Sequence, residues 1–191
     1  ETGQLGVKVP ESLEPLVHKT YLHRMSRTID EGNSEYFVQV FPPRSRLIII
    51  GAAHITADLI KLAHDFDFET VVIDPRHAFA KSTIFPVPPD KIFQAYPSEI
   101  LPEMRLDVYT YAVILSHDPK IDDDALKVLL RSYVAYIGAL GSRKNHEKRT
   151  GRLLEQGFTM EEIGKIDAPI GIDIKAIGAK EIAVSIMGAI I

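Results

Sequence analysis

The residues best suited to chemistry fall in four short stretches, each placed directly after an apolar run. The first is Gly51-Ala52-Ala53-His54-Ile55-Thr56, after Leu47-Ile48-Ile49-Ile50. A glycine turn that opens a helix aims backbone N–H groups, and the positive end of the helix, at an anion. The second, Asp74-Pro75-Arg76, follows Thr70-Val71-Val72-Ile73. An acid there, about 20 residues past the turn, is placed to accept from both hydroxyls of a ribose. Arg76 suits a phosphate, but Asp74 would repel a 2′-phosphate, so NAD-like ligands fit better than NADP. The third is Ser116-His117-Asp118-Pro119-Lys120. His117 carries an imidazole, which suits an acid, a base or a metal ligand, and is the candidate for proton transfer, with Asp118 to orient it. The fourth, Gly138-Ala139-Leu140-Gly141-Ser142-Arg143, is a second glycine-containing turn before a helix and a second anion cradle.

Each stretch also has a plainer reading. The turn at Gly51 can be a tight connection without a ligand, since Ala53 and Thr56 stand where G-x-G-x-x-G has its second and third glycines, and the Ala53 methyl hinders close approach of a pyrophosphate. Asp74 can cap its own loop, and His117 can be a hydrogen-bonded loop residue. Asp122 reads as a helix N-cap, with Asp123 and Asp124 favouring the first turn. Lys144, His146, Lys148, Arg149 and Arg152 suggest phosphate or an acidic partner, or else a solvated helix face. The seven histidines show no H-x-x-x-H spacing on one helix face, and there is no cysteine. No metal site, disulfide or thiolate nucleophile is therefore expected from the chain itself.

The elements that must position these stretches follow from periodicity. Leu47 onward alternates strand and helix, the pattern of a parallel sheet with right-handed crossovers. Strands are predicted at Leu47–Ile50, Thr70–Ile73, Tyr111–Leu115 and Tyr133–Ile137, with a weaker one over 91–95. Helices are predicted over 55–66, 124–130, 145–155, 159–165 and 180–190, with Thr159 and Glu162 as a capping box. Proline-rich 77–89 reads as a long loop. Before Pro42-Pro43, a hairpin pairs Met25–Ile29 with Tyr36–Val40 across Glu31-Gly32-Asn33-Ser34. The expectation is an α/β, doubly wound, mostly parallel Rossmann-like domain over 46–191, with an amino-terminal appendage over 1–45. Its ligand crevice should lie at the carboxyl ends of the strands.

Composition narrows the ligand. A formal net charge of −4 over 191 residues argues against a general nucleic-acid binder. No apolar run approaches the roughly 20 residues that span a bilayer, so no membrane association is expected. Glu1–Pro10 lacks the features of a signal peptide, consistent with the cytoplasm, and Glu1 in place of Met suggests that a segment precedes it.

Taken in order, the four stretches, Ala168–Asp173 and Glu181–Ile186 resemble the XdhC/CoxI family over about Phe41 to Ile191. The resemblance implies an accessory factor. Such a protein binds the molybdenum cofactor (molybdopterin), protects it during sulfuration by a partner cysteine desulfurase, and delivers it to a xanthine dehydrogenase-type apoenzyme. On that reading, the convergence of these loops is expected to place phosphate at the helix N-termini at His54 and Ser142, and the pterin end at His117 and Arg143. The family's amino-terminal motif with glycine and cysteine is absent, so a shortened member or a fragment is expected. Ala53 and Gly178-Ala179 also depart from the family's usual glycine and Thr-Pro. Two other readings use the same crevice. One is an NAD-dependent oxidoreductase with His117 as proton shuttle and Asp74 on the ribose. The other is a nucleotide-sensing interaction module that dimerises through the hairpin. A homodimer is expected.

Overall fold

A computed structural model of the chain describes residues 8–23, 25–32, 34–76 and 85–191. The chain divides into two units, Glu1–Pro43 and Arg44–Ile191. In the first, helix α1 (Glu14–Leu22) precedes strands β1 (Arg27–Glu31) and β2 (Ser34–Val38), which pair antiparallel from Arg27↔Val38 to Glu31↔Ser34. The hairpin closes directly onto its turn, with Gly32 in the left-handed region at φ +61°, so its strands sit two residues from their predicted places. Helix α1 was not legible in the sequence. The Thr20 hydroxyl ties it to β1 by donating to the Leu16 carbonyl (2.7 Å) and accepting from Arg27 Nε (2.8 Å).

The second unit is built on strands β3 (Arg46–Ile50), β4 (Glu69–Ile73), β5 (Lys91–Phe93), β6 (Thr110–Ile114), β7 (Tyr136–Ala139) and β8 (Ile166–Asp167). They form one sheet in the order β5-β4-β3-β6-β7-β8, and every pairing is parallel. Because successive side chains of a strand point to opposite faces, the central strands feed two cores. Ile48, Ile50, Val71, Ile73, Ala112 and Ile114 belong to one core, with α4 (Pro119–Leu129), α5 (Arg143–Glu155) and the short α6 (Met160–Ile163). Leu47, Ile49, Val72, Tyr111 and Val113 face the other, covered by α2 (His54–Asp65) and α7 (Ala179–Ile190). Both faces are buried, which is why these strands read as unbroken apolar runs. The fold is the doubly wound Rossmann-like one.

Two predicted boundaries move for physical reasons. Helix α4 begins at Pro119 rather than Asp124, because Asp118 caps it, its Oδ1 accepting from the Lys120 N–H (2.9 Å). Strand β7 runs over 136–139 instead of 133–137; Tyr133 is 84% exposed, and the ladder continues through Gly138, paired with Val113 and Asp167. Gly138 lacks a side chain for a packing reason: a β-carbon there would lie 2.4 Å from Ile170 Cδ1. Of the predicted loop over 77–89, residues 77–84 lie outside the described residues. The four-residue α3 (Pro97–Ile100) and two-residue β8 are too short to show a period. Thr159 and Glu162 form the predicted capping box. Among the described residues no helix is long and apolar enough to cross a membrane.

Strand β3 is flanked by β4 on one side and β6 on the other, and the chain winds away in opposite directions from the two. The order therefore reverses between β3 and β6, and the loops after these strands diverge to leave a crevice.

Candidate functional site

The two loops meet at Gly51 and Ser116. Gly51 holds φ +101°, and a β-carbon there would stand 2.5 Å from Ser116 Cα. The turn that follows spends its donors internally. Ala52 N–H donates to Asp74 Oδ2 (2.7 Å), Ala53 N–H to Thr56 Oγ1 (3.1 Å), and the Thr56 hydroxyl to the Gly51 carbonyl (2.8 Å). Asp74, 1% exposed, also takes Arg76 through its N–H and Nε on Oδ1 (both 2.9 Å) and Nη2 on Oδ2 (2.6 Å). Burial raises this carboxyl, but the bonds from Arg76 and Ala52 outweigh it and hold it below the usual range. Both oxygens of Asp74 thus already accept two hydrogen bonds each. Beyond them, Ala52, Ala53, His54, Ile55, Ala57, Arg76, Phe85, Ser116 and His117 line a mainly apolar cavity of about 440 Å³.

The loop after β6 carries the polar side. The Ser116 hydroxyl accepts from the Asp118 N–H (3.1 Å) and donates to Asp122 Oδ1. Asp122, read from sequence as a cap, is instead inside α4 and 5% exposed. Its Oδ2 accepts from Arg149 Nη2 (3.2 Å), and burial raises its carboxyl against the pull of Ser116 and Arg149. Between Ser116 and Asp118, exposed His117 adopts φ +61°, uncommon for a residue with a side chain.

His117 also lines a second cavity, of about 260 Å³, with Pro119, Asp122, Leu140, Asn145, Lys148, Arg149 and Arg152. Arg149 is 4% exposed. Its Nη2 also donates to the Leu140 carbonyl (3.2 Å), whereas Nε and Nη1 have no acceptor. Arg152 is held by Asp123 through Nε (2.5 Å) and Nη2 (2.9 Å). The run over 144–152, read from sequence as phosphate-directed or a solvated face, therefore contributes a buried guanidinium. The signal was present, since Arg149 precedes buried Leu153 by four residues and so shares its helix face.

Of the sequence candidates, Gly51, Ala53, His54, Thr56, Asp74, Arg76, Ser116, His117 and Asp118 gather around the crevice. Gly141 (φ +134°) and Ser142, whose Oγ accepts from the Asn145 N–H (3.3 Å), shape the start of α5. Arg143 lines a separate groove with Leu140, Ile170, Asp173 and Lys175. Gly138 serves the packing of β7 against Ile170. Asp122, Asn145 and Arg149 are the lining residues that periodicity alone did not single out. Among the described residues no group of three or more histidines and acids is placed to hold a metal ion.

Comparison with known proteins fits this geometry. Residues 47–190 match the family described as the XdhC Rossmann domain. The chain is 34% identical over 161 residues to a Bacillus subtilis (strain 168) protein named as a probable xanthine dehydrogenase subunit, covering 84% of this chain and 46% of that one. It is 32% identical over 99 residues to the Escherichia coli (strain K12) molybdenum cofactor insertion chaperone PaoD, covering 52% of this chain and 30% of that one. A crystal structure from Bacillus halodurans, described as a xanthine dehydrogenase, superposes with a TM-score of 0.66 at 31% identity, over 82% of this chain and 43% of that one. The chain spans less than half the length of these relatives. With three quarters of its residues inside the matched segment and the doubly wound sheet in place, the chain belongs to the XdhC Rossmann-domain family.

Proposed function

We propose that this chain is an accessory protein that holds the molybdenum cofactor in the crevice between β3 and β6 and passes it to a xanthine dehydrogenase-type apoenzyme. Protection of the cofactor while a partner cysteine desulfurase sulfurates it belongs to the same proposal. The observation that carries the reading is the pair of cavities sharing His117, one mainly apolar and one rich in cations. A flat pterin with an anionic end asks for that combination, and the buried guanidinium of Arg149 has donors to spare for the anion. Ala52, Ala53, Ile55 and Phe85 offer the ring an apolar surface, and His117 stands where the two parts join. The cofactor supplies the metal and its redox chemistry. The chain binds, orients and shields.

An NAD-dependent role finds no support here, because Asp74 spends its acceptors on Arg76 and Ala52. Titration of the purified chain with molybdenum cofactor should show saturable binding, weakened about tenfold or more by His117→Ala, while NAD in parallel gives none. A folded protein that fails to bind the cofactor would end this reading.

A further inference from the structure

The guanidinium of Arg149 is the most poorly satisfied buried charge among the described residues. It is held at one corner only, by Asp122 Oδ2 and the Leu140 carbonyl on Nη2. Nε and Nη1 carry three N–H bonds between them and have no acceptor, although the residue is 4% exposed. Buried donors in folded proteins are nearly always paired, and a charged group left without acceptors is costly. These donors belong to a side chain that lines the smaller cavity, where Lys148 and Arg152 add positive charge and Asn145 and His117 add hydrogen-bonding groups. The acids nearby offset this set only in part. Asp123 is engaged with Arg152, and Asp122 meets Arg149 at the single corner already described.

We infer that this cavity is a phosphate-monoester subsite, with Arg149 as its principal donor and Lys148 as its supporting charge. A tetrahedral dianion presents several acceptor oxygens at once, which suits N–H bonds pointing along different edges of a fixed guanidinium. A sugar hydroxyl or a neutral ring edge would leave the charge unmet. The site lies between α4 and α5, away from the turn at Gly51, whose Ala52 and Ala53 donors are already taken. Since His117 borders both cavities, a ligand whose phosphate sits at Arg149 extends its organic part past His117 into the apolar cavity. Identifying that phosphate with the end of the molybdenum cofactor rests on the reading above. The anion site does not.

The test uses the whole chain and inorganic phosphate, followed by phosphorus NMR and by thermal shift, with AMP and the molybdenum cofactor as parallel arms. Phosphate should bind saturably, about tenfold more weakly in Arg149→Lys and undetectably in Arg149→Met. Lys148→Met, at an exposed position, should weaken binding several-fold and keeps the test valid if Arg149→Met does not fold. Absence of saturable phosphate binding, or binding indifferent to all three variants, overturns the subsite. So does binding that survives Arg149→Met and is abolished by Ala53→Asp, which would place the anion at the start of α2. The two readings separate cleanly. Binding of both phosphate and the cofactor that persists in a folded Arg149→Met protein refutes the subsite and spares the accessory role. Arg149-dependent binding of phosphate and AMP without cofactor binding supports the subsite and refutes that role.

Discussion

Gly51 and Ser116 pack backbone against backbone at the point where the sheet order reverses: a β-carbon on residue 51 would lie 2.5 Å from Ser116 Cα and 2.6 Å from Ser116 N. The contact joins the loop after β3 to the loop after β6, so the two walls of the crevice are built on one another. Gly51→Ala meets both this overlap and a φ of +101°. It should destabilise the protein by about 2–4 kcal/mol, a fall in Tm of roughly 5–15 °C. A thermal melt checks this, and a wild-type Tm would mean that the loops part easily.

Asp122 and Arg149 form the second tie, between α4 and α5. Asp122→Ala would leave a buried guanidinium without its carboxylate, at a cost of about 3–5 kcal/mol. The pH dependence has a definite sign. Burial raises the folded-state pKa of Asp122, and bonds from Ser116 and Arg149 recover only part of the shift. A carboxyl that holds its proton more tightly when folded stabilises most below its unfolded pKa, and that contribution declines as pH rises toward the folded value. The stability of wild type relative to Asp122→Asn, from urea midpoints, should therefore fall as pH rises from about 4. A rise over the same interval would show an ordinary ion-paired carboxylate.

Asp90 behaves in the opposite sense. It accepts from the Thr70 N–H (2.8 Å) and hydroxyl (3.1 Å), from Arg44 Nη1 (3.3 Å), and pairs with His64 Nε2 (3.2 Å). Burial raises its carboxyl, but the Thr70 bonds, the Arg44 charge and the His64 contact together prevail and bring it to about 2. Its contribution is present above the unfolded value of 3.8 and is lost as pH falls toward 2. After screening by solvent, this amounts to about 1–2 kcal/mol. Asp90→Asn should melt lower than wild type at neutral pH and converge with it in acid. Parallel acid unfolding curves for the two proteins would count against this account.

The fold was legible because its evidence is local. Leu47–Ile50 and Tyr111–Leu115 are apolar without alternation, as strands covered on both faces must be, and the helices between them keep their period. The order of the strands at the sheet edges was not legible, because which neighbour a short edge strand such as β5 or β8 joins leaves no local pattern. The site was legible in its loops and not in its helices. Ser116, His117 and Gly51 stand at strand ends, where topology alone directs attention. Arg149 and Asp122 lie in a charge-rich stretch and an acidic triplet, and such runs usually face solvent. Their meeting depends on how α4 packs against α5, which no single window records. For Asp74, spacing suggested a ribose partner, but both of its oxygens are taken by Arg76, two residues on, and by the Ala52 N–H across the turn, which spacing does not record.

His117 supplies the most discriminating test, because its backbone and its imidazole predict opposite responses. A left-handed φ of +61° costs a residue with a β-carbon about 1 kcal/mol, whereas glycine adopts it freely. His117→Gly relieves that strain, while the flexible unfolded chain takes back part of the gain. The net effect on stability should therefore be small, within about 0.5 kcal/mol of wild type or slightly favourable. The imidazole, exposed between two cavities, should matter for the ligand, so cofactor affinity should fall about tenfold or more. A melt and a binding titration on the same preparation read both quantities. Preserved stability with weakened binding identifies a residue kept in a strained conformation for its side chain. A large loss of stability would instead make His117 a structural element of the loop and remove it from the site.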